Sequence, residues 1–210
     1  AATVHNHVPE AFRALMRSAQ DEVLIINAYI IPDDNFMADL RELADRGVRV
    51  RILTNSLASH DVPAVNSHYE RYREPILRTG AQLYELRADA AVKAAQVEFP
   101  PFRGRFVGLH TKAMVIDRQR SFVGSMNLDP RSEIINAEMG VLIDSPALAA
   151  ALAAGIERDM GPENSWQVTL DADGRPKWSN DREMRTTQPA RSAMQRIENL
   201  VFKLFPPSLY

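Results

Sequence analysis

Three short β-rich runs, Val23–Ile31, Val48–Leu53 and Gln82–Leu86, alternate with segments whose apolar residues fall at helical spacing. This alternation is the strongest constraint on what the chain can fold into. Glu10–Gln20, with Phe12, Leu15, Met16 and Ala19, reads as a helix before the first run. Between the first two runs, Phe36, Leu40 and Leu43 mark a helix that Asp33 or Asp34 can cap and Gly47 ends. Val62–Thr79 reads as a further helix, interrupted near Pro75 and closed by Gly80. Strands joined through helices pair in parallel and are covered on both sides. The chain is therefore expected to be α/β, a mixed, largely parallel sheet flanked by helices on both faces. Shorter strands are expected at Lys112–Asp117, Ser121–Val123 and Ala137–Ile143, with an Ala-rich helix over Ala147–Met160.

After Gly161-Pro162 the character changes. Trp166–Leu170 and Pro176–Trp178 flank Asp171-Ala172-Asp173-Gly174, the pattern of a hairpin with Asp-Gly in its turn. A last helix over Arg191–Phe205 follows, with Met194, Ile197, Leu200, Val201, Leu204 and Phe205 on one side. The expected organisation is thus a catalytic half-domain over 1–161 and a C-terminal hairpin-plus-helix appendage over 162–210. From Arg175 onward there are seven basic and three acidic residues, so the tail is +4 while the rest is −6. Two roles stay open for the helix: packing its stripe on the domain, or laying it on an anionic membrane surface. A basic, proline-containing stretch, Arg87–Val107, reads as a long loop able to cover a site.

Composition narrows the chemistry. The 210 residues contain no cysteine, which removes disulfides, thiolate metal sites and thiol nucleophiles together. Any catalysis must use His, Lys, Ser or carboxylates. The longest apolar stretches, such as Ala147–Ile156, fall short of the roughly 20 residues a membrane span needs. The chain begins Ala-Ala-Thr-Val-His-Asn-His without Met or a signal pattern, so it is expected to be a piece of something longer.

One segment concentrates reactive groups: His110-Thr-Lys112, then Asp117, then Gly124-Ser125-Met-Asn127. Residues two apart on a strand share a face, so an imidazole and an ammonium are aimed together. The turn Gly124–Asn127 adds a hydroxyl and an amide, groups that suit the non-bridging oxygens of a phosphate. Asp117, five residues from Lys112, falls on the opposite face and is read, with Gly124, as fixing strand and turn geometry.

The spacing matches the HxKxxxxDxxxxxxGSxN signature, and on it the chain resembles the phospholipase D superfamily, identified by its HKD motif. Tyr29–Pro32, Thr54–Leu57, Tyr69–Arg73, Leu83–Leu86 and Asn127–Ser132 resemble the C-terminal half of bacterial cardiolipin synthases, C-type. The resemblance implies the phospholipase D-like fold and catalytic roles for His110, Lys112, Asn127 and Glu138. Lys112, Ser125 and Asn127 would hold the substrate phosphate, and Glu138 would orient the histidine. It implies no metal or cofactor. The reaction implied is phosphatidyl transfer through a phosphohistidine, with phosphatidylglycerol, or phosphatidylethanolamine as a second candidate, as the phospholipid substrate.

Such a site takes two signatures, and this chain has one. The partner is expected to be a second half-domain of the same longer polypeptide or a second copy in a homodimer, working at the periphery of an anionic membrane surface, the bacterial inner membrane. Three other roles compete: a phospholipase D transferring to water, a nuclease-type phosphodiesterase, and a non-catalytic half serving dimerisation or docking. A −6 body speaks against nucleic acid as a partner. The loop after the second strand commonly opens onto such a cleft, which makes Asn55, Ser56 and His60 candidate cleft residues.

Overall fold

The computed structural model describes residues 7–96 and 106–205. In chain order the first part runs α1 (Val8–Arg17), β1 (Glu22–Asn27), α2 (Asp34–Asp45), β2 (Arg49–Asn55), α3 (Pro63–Tyr69), α4 (Arg73–Arg78), β3 (Gln82–Leu86) and a single turn α5 (Lys93–Gln96). The second runs β4 (Lys112–Ile116), β5 (Arg120–Gly124), α6 (Pro130–Ile134), β6 (Gly140–Asp144), α7 (Pro146–Met160), β7 (Ser165–Leu170), β8 (Pro176–Ser179), β9 (Met184–Arg185) and α8 (Ala193–Phe202). Of the expected loop Arg87–Val107, residues 97–105 lie outside the described residues.

All nine strands form one sheet in the order β6-β5-β4-β1-β2-β3-β7-β8-β9. The mixed α/β class is as the sequence indicates, and its parallel part is the centre: β1 with β2 and β2 with β3. Every other strand pair is antiparallel. The turns after β4, β7 and β8 are too short for the crossover a parallel neighbour requires. Parallel pairing is therefore narrower than the helix-strand alternation suggests.

Alternation along the strands splits the core into two layers. Val23 and Ile25 of β1, Ile52 of β2 and Met114 and Ile116 of β4 face α1 and α2, where Phe12, Met16, Phe36, Leu40 and Leu43 are buried. Leu24, Ile26, Leu53, Ala113 and Val115 face the other way, onto Ala149, Ala153 and Ile156 of α7. Small alanines let α7 approach the sheet closely. α2 begins as its sequence suggests, with the Asp33 carboxylate accepting from Phe36 N at 2.6 Å.

The hairpin β7–β8 forms as expected, with Gly174 at φ +78° in its turn. It extends the main sheet through β3, and Trp166, Val168 and Trp178 belong to the α1/α2-side core. The division at 161/162 thus falls within one sheet. α8 lies across α3, held by polar side chains rather than by its apolar stripe.

Candidate functional site

β4 runs antiparallel to β1 with Lys112 opposite Asn27. The start of β4 therefore meets the C-terminal ends of β1 and β2, and the end of β5 arrives beside them through the Ala113–Val123 pair. In open α/β sheets that end is where ligands bind. Strand direction brings His110, Lys112 and the Gly124–Asn127 turn to that end.

His110 precedes β4 and is exposed. The backbone before it is fixed by Asn55, whose amide donates to the carbonyls of Ala28 at 3.1 Å and Leu109 at 3.0 Å. Its Oδ1 accepts from Leu109 N at 2.8 Å and Ser59 Oγ at 3.0 Å. The lead-in passes so close that a Cβ on Gly108 would stand 2.6 Å from the Ser59 carbonyl oxygen. A rigid approach of this kind keeps an exposed imidazole from wandering.

Lys112 is buried, and its ammonium donates to the His110 carbonyl at 2.7 Å. The nitrogen stands 6.0 Å from the centre of the Tyr29 ring. Burial pulls its pKa down, opposed by the nearby carboxylates of Glu138, Asp61 and Asp129. An anion entering beside it would meet a poorly solvated cation, where attraction is stronger than in water.

Asn127 is half-buried and its Oδ1 has no hydrogen-bond partner. The segment carrying it is held by Asn27, which donates to the Met126 carbonyl at 3.2 Å and accepts from Leu128 N at 3.4 Å. Ser125 donates its hydroxyl to Glu138 Oε2 and accepts from Met139 N at 3.0 Å. Glu138 also accepts from Asn136 Nδ2 at 3.2 Å. The acidic residue thus holds Ser125 through one oxygen and Asn136 through the other. Gly124 faces Gly140 across the β5–β6 pair, and a Cβ on Gly124 would lie 2.5 Å from the Met139 carbonyl oxygen.

Asp117 stands at the far end of β4, in the tight turn to β5. Asp117 and Arg118 are both left-handed, with φ of 50° and 52°, and Gln119 N closes the turn onto the Ile116 carbonyl at 2.9 Å. The Asp117 carboxylate accepts from Gln20, Asp21 and Glu22 N, each at 2.9 Å, tying the hairpin to the entrance of β1. Burial raises its pKa, but these three N–H groups and Arg120 outweigh that and hold it low. A carboxyl depressed on folding stabilises above its unfolded pKa of about 4 and loses that contribution as pH falls through the folded value. Asp117→Ala is expected to melt several degrees lower at neutral pH, with the difference from the parent shrinking below about pH 4. A pH-independent difference in calorimetry would show that the charge is not what matters.

The three loop candidates differ in position. Asn55 and Ser56 are buried, and Ser56 donates to the Leu86 carbonyl at 2.6 Å. Both shape the wall from behind. His60 is buried too, and its pKa is pushed down to about 4, chiefly by desolvation, so its ring is neutral. It stacks on Tyr29 with centroids 5.1 Å apart and an interplanar angle of 9°. Tyr29 in turn donates its hydroxyl to Asp61 at 2.9 Å. Tyr29, Asp61 and the two clamps Asn27 and Asn55 are the site residues whose contacts the sequence does not reveal. Asn27 and Asn55 end β1 and β2, and Tyr29 and Asp61 lie in the loops that follow those strands.

Residues 12–160 match the family model described as "Cardiolipin synthase, PLD-like domain". The chain belongs to this family. It is 32% identical over 206 residues to cardiolipin synthase C of Escherichia coli (strain K12), covering 96% of this chain and 43% of that protein. It is 33% identical over 149 residues to cardiolipin synthase A of Pseudomonas aeruginosa (strain LESB58), covering 70% of this chain and 26% of that one. The PLD-like chain thus spans less than half the length of these relatives. Two solved structures share the fold. Nuc, a phospholipase D family member from Salmonella typhimurium, superposes with TM-score 0.56 at 19% identity, over 74% of this chain and 88% of its own. Phosphatidylserine synthase of Haemophilus influenzae Rd KW20 gives 0.57 at 16% identity, over 75% of this chain and 37% of its own.

Proposed function

We propose that this chain is one half of a two-signature phosphatidyltransferase of the cardiolipin synthase type. The observation that carries the reading is the convergence, at one end of the sheet, of exposed His110, poorly solvated Lys112 and Asn127 with its unpaired buried oxygen. Turning the Asn127 amide over would present its NH₂ at the same point, so the residue can donate to a phosphate oxygen. Membership of the PLD-like family, with cardiolipin synthases among the relatives, supplies the reaction class.

In the first step a histidine Nε2 forms a bond to phosphorus of phosphatidylglycerol. The bond from phosphorus to the glycerol headgroup oxygen breaks, and that oxygen takes a proton from the second histidine. In the second step a headgroup hydroxyl of another phospholipid gives its proton back to that histidine and attacks phosphorus, and the P–N bond breaks. Splitting one displacement into two lets the same site choose an alcohol over water. Lys112 and Asn127 neutralise charge on the equatorial oxygens, where it accumulates.

The second histidine comes from the other half. Edge strand β6 and its neighbours expose Ile134, Ile135, Met139, Val141, Leu142 and Leu148, an apolar surface beside Ser125 and Glu138 that offers a seat for it. No helix among the described residues is long and apolar enough to cross a membrane, and we place the assembled protein at the periphery of the bacterial inner membrane.

The purified assembled protein, given phosphatidylglycerol vesicles, is expected to form cardiolipin and free glycerol in equal amounts by mass spectrometry. This chain alone, held monomeric, is expected to form neither. Phosphatidic acid as the main product would establish the hydrolase instead, and turnover by the monomer would overturn the two-half site.

A further inference from the structure

α8 packs with its polarity reversed. Gln195 and Asn199, one turn apart, face the domain and are 4% and 5% exposed. Gln195 Nε2 donates to the Leu57 carbonyl at 2.6 Å. Asn199 accepts from Asn66 Nδ2 at 2.7 Å and donates to Glu70 at 3.1 Å, and Lys203 pairs with the same Glu70. The opposite face carries Met194, Ile197, Leu200 and Val201 at 61%, 54%, 63% and 47% exposure, and Leu204 in the turn just past the helix is 84% exposed. Amphipathic helices ordinarily bury that stripe. Here specific polar contacts hold the helix down and leave the apolar face open, and contiguous exposed apolar surface marks an interaction site.

Two observations select the occupant. The first is charge: the segment from Arg175 onward is +4 on a body that is −6, and Arg196 is exposed beside the stripe. An anionic partner is favoured. The second is continuity with the cleft. Besides the Gln195 contact to Leu57, Arg191 donates to the His60 carbonyl at 3.3 Å, and His60 stacks on Tyr29 next to Lys112.

We propose that α8 is a membrane-docking helix that lays its stripe into the interfacial zone of an anionic bilayer and holds the cleft at headgroup level. Arg196 meets lipid phosphates as the stripe enters. The benefit to catalysis rests on the phospholipid reading above, whereas the docking itself does not.

The test uses the assembled protein carrying Ile197→Gln, Leu200→Gln and Leu204→Gln together, all exposed. Co-sedimentation with phosphatidylglycerol-rich vesicles is expected to fall about tenfold or more, and raised salt is expected to weaken the parent's binding in the same direction. Melting temperature and elution volume should not move, and turnover of short-chain, monomerically dispersed phosphatidylglycerol should match the parent. Undiminished vesicle binding would overturn the proposal. So would a lowered melting point or a changed elution volume, because either would show that protein covers the stripe. Lost vesicle binding in a protein whose parent never turns over dispersed lipid would uphold the docking helix while removing the phosphatidyl-transfer reading.

Discussion

His110→Ala in the assembled enzyme is expected to lower turnover by roughly 10³-fold or more while leaving the melting temperature close to the parent's. The two halves of that expectation have separate causes. His110 is exposed and its side chain makes no contact that the fold depends on, so its removal should fall within the small range of surface substitutions. Its backbone, by contrast, is pinned through the Asn55 bonds to Leu109 and the Lys112 bond to its own carbonyl, and neither is lost with the imidazole. Chemistry is removed and geometry stays. Lys112→Met should differ: it keeps the buried stem, loses the cation and the bond to the His110 carbonyl, and is expected to slow turnover by about 10²–10³-fold with a small fall in stability. Parent-like turnover by His110→Ala, with the fold verified by circular dichroism and calorimetry, would take this residue out of the reaction.

What could be read from the sequence was whatever is written in local pattern and spacing. The parallel strands, the α2 cap, the β7–β8 hairpin and the spacing from His110 to Asn127 all follow from local chemistry. Partners distant in sequence were not legible. Asn27 and Asn55 end apolar strands and could have been surface amides, yet each reaches across the sheet end to hold a segment about fifty or more residues away. The stripe on the last helix was visible, but periodicity gives a face without saying which way it points. Only Gln195 and Asn199, meeting Leu57, Asn66 and Glu70, decide that. The extent of parallel pairing was hidden for a similar reason, since β4 and β7 join β1 and β3 from remote parts of the chain.

The segments Tyr69–Arg73 and Leu83–Leu86, singled out in the sequence only by resemblance, together build the group whose loss should cost the fold most. Glu85 is fully buried on β3 and accepts from Tyr69 Oη at 2.9 Å, Arg73 Nε at 2.5 Å and Trp178 Nε1 at 2.8 Å. The Arg73 guanidinium is buried with it, over the rings of Tyr69 at 4.7 Å and Trp178 at 5.2 Å. One carboxylate thus joins α3, α4, β3 and the β7–β8 hairpin. Arg73 also donates to Asn66, the residue that grips α8, so the network continues to the terminal helix. Glu85→Ala would strand a buried cation and two donors, for which about 3–5 kcal/mol is the usual cost. In a domain of this size that is a fall of roughly 10 °C in melting temperature. The outcome that separates a lost ion pair from a simple cavity is the double variant. Arg73→Met with Glu85→Met removes both charges and keeps apolar volume, and it should melt well above the sum of the two single changes. If Glu85→Ala costs less than about 1 kcal/mol, or the two changes simply add, then the charges do not hold this corner of the sheet, and the apolar packing of Trp178 and Tyr69 does.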